Sequence, residues 1–254
     1  MLRLVKKYDD SERILSDACA RIGNSNLTVQ LFKMRKNTFG IPYLLEYEGE
    51  HGFYPVDPTI FKAKYNLDKY VLVPGRFHKT KGQEYAVRAL EYLSTDIKMV
   101  FAGIAKLWMG KKNELSNYAK GIKKFTETNG YEDRVVFTGR IEYEELRAAY
   151  SGALCSVIPS IWLETFGYVI IESLACETPV VVTENCGAVE CVDETCAVIV
   201  KRKDPRAIAD AIKEIILRRD EMGKSGRKKL LKEFSPETLF SKTMSIFEGV
   251  LHEK

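Results

Sequence analysis

The sequence is short of everything that would send it out of the cell or into a membrane. Its amino terminus, MLRLVKKYDDSERILSD, lacks the apolar core of a secretory leader. No run reaches the roughly 18 apolar residues that a membrane-crossing helix needs. The expected location is cytoplasmic, with at most a peripheral position at the inner membrane face, and the sequon Asn26-Leu27-Thr28 means nothing there. Histidine is scarce, present only as His51, His78 and His252. No Cys-x2-Cys pair occurs, and no histidine lies near the evenly spaced Cys186, Cys191 and Cys196. The cysteines therefore read as reduced, half-buried small hydrophobes rather than metal ligands. Neither sign of charge dominates. The net charge of +4 is a mild basic excess, which excludes a dedicated nucleic-acid binder and suits an anionic ligand or the edge of an anionic membrane.

What is present is regular. A chain of 254 residues, 45% apolar, can form one full domain plus an appendage. From Tyr70 onward, short apolar runs alternate with amphipathic stretches. The runs lie at 70–75, 97–103, 134–139, 153–160, 179–183 and 197–201. The helical stretches are QEYAVRALEYL, KNELSNYAKGIKKFTETNG, EYEELRAAYSG and FGYVIIESLACE, with DPRAIADAIKEIILRRD after the last run. Near-continuous apolar strands separated by helices imply a parallel sheet covered on both faces. The fold class expected is α/β, a Rossmann-like doubly wound parallel sheet. Two extra helices follow at the carboxyl end, MGKSGRKKLLKEF and SPETLFSKTMSIFEGVLHEK, the second opened by Ser235 as a cap and Pro236 in the first turn. Three runs end in glycine, at Gly75, Gly103 and Gly139, on the sheet edge where such folds take ligands. The first 55 residues keep a different rhythm: ARIGNSN resembles a strand running into a turn, LTVQLFKMRKN an amphipathic helix, and GEHGFYPVDP a linker.

Two motifs carry chemistry. In PGRFHKTKGQE, Arg76 follows the first strand and its glycine, and Lys81 precedes a helix. A forked guanidinium, a point charge and free helix N–H groups suit a diphosphate; the same spacing also fits a plain basic surface loop. Neither Gly-x-Gly-x-x-Gly nor the Walker pattern is present, so this is no ordinary dinucleotide fingerprint or P-loop. In PSIWLETFGYVIIESLACETPVVV, Glu164 and Glu172 flank Gly167. A helix starting near Phe166 would place Glu164 just before its N-terminus and Glu172 in its second turn. Phosphates would then sit on the N–H groups of Thr165, Phe166, Gly167 and Tyr168, and each carboxylate would accept hydroxyls on its own side. A molecule with a sugar at each end of a diphosphate is a nucleotide sugar. The plainer alternative makes Glu164 a helix-start charge and Glu172 a solvated residue, although VIIESLAC is apolar enough to aim Glu172 at a cleft.

Taken in order, GRFHKTKG, ETFGYVIIE and TPVVVTENCGAVECV closely resemble the carboxyl-terminal domain of retaining GT-B glycosyltransferases, the group-1 family, over roughly residues 50–254. The resemblance implies that Arg76 and Lys81 bind the donor diphosphate, with Gly75 beside them. It implies that Glu164 contacts the transferred sugar, so that Glu164, Arg76 and Lys81 form the catalytic set. Glu172 would hold the ribose, the backbone around Phe166 and Gly167 the phosphate, and Arg140 with Ile141 the base. It implies no cofactor and no obligatory metal, Arg, Lys and a helix dipole serving the leaving diphosphate, in keeping with the missing Asp-x-Asp pattern. The sequence departs from the family pattern at Tyr168, bulky after Phe-Gly, and at Ala188 and Val189 where Gly and Pro are usual.

By the same resemblance, residues 1–52 form a remnant of an amino-terminal acceptor domain plus linker, and 53–254 the donor domain. Three readings follow: the donor half of a split transferase with a separate acceptor subunit, a truncated form of an ordinary one, or a nucleotide-sugar-binding module or scaffold without catalysis. The expected partners are a nucleotide sugar and an acceptor-domain subunit, or self-association through the remnant and the final helix. Nucleic acid is not expected. GRKKLLKEF and KGIKKF are either solvated helix faces or a peripheral membrane contact.

Overall fold

The computed structural model describes residues 21–23, 38–41, 46–50, 52–103 and 116–252. The helix expected over LTVQLFKMRKN and His51 lie outside the described residues. Two compact units separate by internal contacts, one of Leu45–Glu233 and one of Met1–Leu44 with Phe234–Lys254. The sequence division at 52/53 kept the final helix with the donor domain; by compactness it groups with the amino-terminal residues instead. In the smaller unit, β1 (Arg21–Gly23) pairs in parallel with β2 (Thr38–Gly40).

The larger unit carries a short helix, α1 (Thr59–Lys64), directly after the stretch GEHGFYPVDP that reads as a linker. Asp57 accepts hydrogen bonds from the Thr59 amide at 3.0 Å and hydroxyl at 2.6 Å, which starts the turn. Six parallel strands follow: β3 (Lys69–Pro74), β4 (Ile97–Ala102), β5 (Val135–Gly139), β6 (Ser156–Ile158), β7 (Val180–Thr183) and β8 (Ala197–Val200). Five of the six expected runs contain their strand, and β3 begins one residue before its run, at Lys69. The helices between them are α2 (Gln83–Ala89), α3 (Asn117–Thr128), α4 (Tyr143–Ser151) and α5 (Tyr168–Ala175), and α6 (Pro205–Glu233) follows β8. The two helical stretches expected on either side of Arg219 are both present; they run on as α6 across a kink at Arg218, where φ −131° and ψ 20° are not helical. Arg219 anchors the bend by donating to the Ser151 carbonyl at 3.0 Å.

Strand order is β5-β4-β3-β6-β7-β8, the doubly wound order anticipated. Alternate residues serve alternate layers. Val71, Val73, Met99 and Phe101 pack with Val87, Ile122, Ile208 and Ile212 from α2, α3 and α6, and with Leu90 just after α2. Tyr70 points the other way, its ring against Phe61 of α1 and its hydroxyl on the Ala149 carbonyl of α4 at 2.7 Å. Burial on both faces is why the central strands read as unbroken apolar runs, each full side chain contributing about 1.5–3 kcal/mol. The edges are less covered: Phe137 in β5 and Ile199 in β8 are exposed.

In the smaller unit, α7 (Pro236–His252) begins as expected, with the Ser235 hydroxyl accepting the Thr238 amide at 3.2 Å. Phe240, Met244 and Phe247 are exposed along it at helical spacing. Among the described residues, no helix is long and apolar enough to cross a membrane.

Candidate functional site

Strand order reverses at β3. Strands β4 and β5 extend to one side of it, β6, β7 and β8 to the other. The crevice outside the carboxyl ends of β3 and β6 is therefore a topological switch point, the position where open α/β sheets bind ligands. Two loops border it, 75–82 and 159–167. Their backbones interlock: the N–H groups of Ile161 and Trp162 donate to the Thr80 carbonyl at 2.9 and 3.3 Å. Gly82 makes this approach feasible. It adopts φ +66°, and a Cβ there would lie 2.0 Å from the Pro159 carbonyl oxygen.

The interlocked loops bring two predicted residues into contact. The Lys81 ammonium is ion-paired with the Glu164 carboxylate, and their side chains are 31% and 23% exposed. Glu164 is fixed through its backbone as well. Its N–H donates to the Asn185 carbonyl at 3.1 Å, and its carbonyl accepts the Gly187 amide at 2.8 Å. The Asn185 side-chain amide donates to the Trp162 carbonyl, so the segment after β7 straps this loop on both sides of Leu163. Arg76 is exposed, and Gln83, 1% exposed, donates from Nε2 to the Arg76 carbonyl at 2.9 Å. Among the described residues no carboxylate engages the Arg76 guanidinium, which leaves its fork available to an anion. His78 caps the turn Lys79–Lys81: its Nδ1 accepts the Thr80 amide at 3.3 Å, a role within the loop.

Helix α5 starts at Tyr168, two residues later than the sequence reading placed it. The cause is Gly167, whose φ of +93° is not helical and where a Cβ would sit 2.6 Å from the Cys186 sulfur. Among the described residues the amides of Phe166 and Gly167 donate to no protein oxygen, in a position to meet an anion. The Phe166 side chain is core, its ring 4.9 Å from that of half-buried Tyr168, so only its backbone serves the site. Thr165 is exposed. Arg140 and Ile141 stand further along the same sheet edge, after β5; Arg140 is exposed and within 3.9 Å of Glu142.

Glu172 lies in the second turn of α5, half-buried, where its carboxylate accepts the Tyr150 hydroxyl at 2.8 Å. Burial raises the carboxyl from 4.5 to about 7, against the Tyr150 hydrogen bond, which holds it down. The unfolded chain releases this proton first, so stability is fully present below pH 4.5 and is lost as pH rises through about 7. Glu172→Gln should therefore raise the thermal midpoint at pH 8, by a stabilisation of about 1–3 kcal/mol, and change little at pH 4.5. Paired melts at the two pH values check this; equal shifts at both would refute it.

Among the described residues, no three His, Cys, Asp or Glu side chains gather as a metal site. Cys186, Cys191 and Cys196 are buried thiols, and burial pushes Cys186 and Cys191 up to about 12. Sequence reasoning missed three supporting residues. Gln83 stands within the first motif and could have been noticed as a polar residue at a helix start. Asn185 and Tyr150 carry no local signal, since their partners are 23 and 22 residues away.

The profile of the family described as glycosyl transferases, group 1, matches residues 59–229. An uncharacterised glycosyltransferase of Methanocaldococcus jannaschii is 27% identical over 185 residues, covering 71% of this chain and 45% of that protein. A GDP-mannose-dependent alpha-(1-6)-phosphatidylinositol monomannoside mannosyltransferase of Mycobacterium tuberculosis is 27% identical over 207 residues, covering 77% of this chain and 52% of that protein. The chain thus spans about half the length of the curated relatives it matches. Among solved structures, sucrose-phosphate synthase of Thermosynechococcus elongatus superposes with a TM-score of 0.79 at 27% identity, covering 96% of this chain and 61% of that one. Anabaena HepE in complex with UDP and glucose shares the fold, with a TM-score of 0.79 at 19% identity over 91% of this chain and 64% of that one.

Proposed function

The chain belongs to the group 1 glycosyl transferases, and from that premise we propose that it is the donor-binding part of a retaining glycosyltransferase, moving a hexose from a nucleoside diphosphate sugar to an acceptor glycan or lipid. The observation that carries this reading is the Lys81–Glu164 contact at the switch point, with Arg76 on the same loop. A cation, a carboxylate and the amides of Phe166 and Gly167 there match the charge pattern of a diphosphate joined to a polyol. Arg76 and Lys81 take diphosphate oxygens and stabilise the charge that grows on them as the glycosidic bond breaks. Glu164 orients the sugar, Glu172 accepts ribose hydroxyls, and Arg140 with Ile141 lines the base. The leaving phosphate accepts the proton of the acceptor hydroxyl on the same face, so no protein nucleophile is assigned and no metal is required. An acceptor-binding domain completes the enzyme, from this polypeptide or another, and the exposed Phe240, Met244 and Phe247 of α7 are candidates for covering by such a partner.

Calorimetric titration of the chain with UDP, GDP, ADP and their hexose conjugates tests the reading, with Lys81→Ala and Glu172→Ala as controls. Binding of one nucleotide family, lost in both variants, is the expected result. Binding of none would favour a scaffold role instead.

A further inference from the structure

We propose that Tyr150 is a positioning residue for the donor: its buried hydroxyl aims the Glu172 carboxylate, and its ring ties that carboxylate to the segment entering the domain. The inference rests on the donor-binding reading of Glu172 and adds to it a residue that touches no ligand.

The geometry is specific. Tyr150 is 0% exposed and lies in the last turn of α4, yet its hydroxyl crosses to α5 and reaches Glu172 at 2.8 Å. A buried tyrosine normally finds a partner for its hydroxyl, and a backbone carbonyl would serve that need. This one donates instead to a half-buried, ionisable side chain, which it orients and draws toward the ionised form. The other end of the Tyr150 ring meets the edge of Phe53, with centroids 6.0 Å apart. Phe53 is itself 2% exposed and belongs to the segment leading into α1. One turn earlier in α4, Arg147 grips that segment, donating to the carbonyls of Gly49, Glu50 and Gly52 at 2.9, 3.0 and 3.1 Å. The entering chain, α4 and the ribose-side carboxylate are thus consecutive links.

The charged and titratable groups around Glu172 come from three helices. Tyr150 and Arg147 belong to α4, Cys176 caps the end of α5, and Arg227 of α6 donates to the Ala175 carbonyl and acts, like Arg147, on the Cys176 thiol. Of these, only Tyr150 hydrogen-bonds the carboxylate, and its bond favours the ionised form that best accepts sugar hydroxyls.

The test measures the dissociation constant of UDP, GDP and ADP across pH 5.5–9.5 for the full chain, Tyr150→Phe and Glu172→Gln. In the original protein, affinity for the nucleotide that binds should weaken as pH falls through about 7. In Tyr150→Phe the same limb should move to higher pH, giving a loss of about 3–10-fold near pH 7 that recovers by pH 9.5. Glu172→Gln should bind weakly with no limb. A purely structural role for Tyr150 would lower affinity by one factor at every pH, and that result overturns the proposal. So does an unmoved limb in Tyr150→Phe beside weak binding in Glu172→Gln, which leaves the donor-binding reading intact. If Glu172→Gln binds like the original chain, the donor-binding reading of Glu172 fails and the proposal with it. Should Tyr150→Phe not fold, Phe53→Leu keeps the hydroxyl and frees the ring, and the same limb should move by less; no movement there overturns the proposal as well.

Discussion

Replacing Lys81 by alanine weakens nucleoside diphosphate binding by about 10–100-fold, as a calorimetric titration at fixed salt should show. Two losses combine. A hydrogen bond between an ammonium and a phosphate oxygen contributes about 1.5–3 kcal/mol, more than a neutral one. The Glu164 carboxylate, 23% exposed at its side chain and paired with Lys81, then stands alone and repels the incoming diphosphate. Glu164→Gln in the Lys81→Ala background should therefore recover part of the affinity, a coupling expected of residues in contact. If the single and double variants bind alike, the ion pair does not shape the site. In an enzyme completed by the proposed acceptor-binding domain, the Lys81→Ala effect should extend to turnover, by about 100–1,000-fold, because charge accumulates on the diphosphate only as the bond to the sugar breaks. Turnover unchanged by Lys81→Ala would remove Lys81 from the catalytic set.

Gly82→Ala should lower the thermal midpoint by roughly 5–15 °C, corresponding to about 2–4 kcal/mol. A left-handed φ of +66° already disfavours a side chain there. The added Cβ would also lie 2.0 Å from the Pro159 carbonyl oxygen, a backbone atom that cannot swing aside. Relief requires the 75–82 and 159–167 loops to part, which breaks the Ile161 and Trp162 hydrogen bonds to Thr80 and separates Lys81 from Glu164. The variant should consequently lose nucleotide affinity along with stability. Gly121→Ala is the matched control. It lies inside α3 with nothing within 4 Å of the new Cβ, and alanine suits a helix interior, so stability should rise by about 0.5–1 kcal/mol. A Gly82→Ala midpoint equal to that of the control would show that the two loops are not locked together in solution.

The parts of the molecule that were legible in the sequence are those built from local rules. Val71, Leu72, Val73 and Val180, Val181, Val182 read as strands because both their faces are buried, and the structure places them in β3 and β7, each paired on both sides. Ser235 and Pro236 marked the start of α7 because a cap and its first turn are neighbours in sequence. Where a local rule met a tertiary one, the local rule lost. The stretch from Phe166 reads as helical by its apolar spacing, but the close approach of Cys186 requires a glycine at 167 in a left-handed conformation, and α5 starts after it. By contrast, residues on either side of Arg219 read as two helices, and helical geometry does break beside it, at Arg218, where the Ser151 carbonyl of α4 holds the Arg219 side chain.

The candidate site divides in the same way. The sequence by itself determined which groups are present at the carboxyl edge of the sheet: Arg76 and Lys81 after one strand, Glu164 and Glu172 around Gly167 after another. It also determined that those strands are parallel, since apolar runs separated by helices leave no other stable arrangement. Only the tertiary structure decided that the two loops meet. Strand β6 pairs with β3 rather than with its sequence neighbour β5, so Lys81 and Glu164, 83 residues apart, share one crevice. That adjacency comes from long-range burial, paid across the whole sheet, and a single sequence records it nowhere locally. The same is true of Tyr150 and Glu172, whose contact exists because α4 and α5 pack side by side, a consequence of right-handed crossovers rather than of any motif.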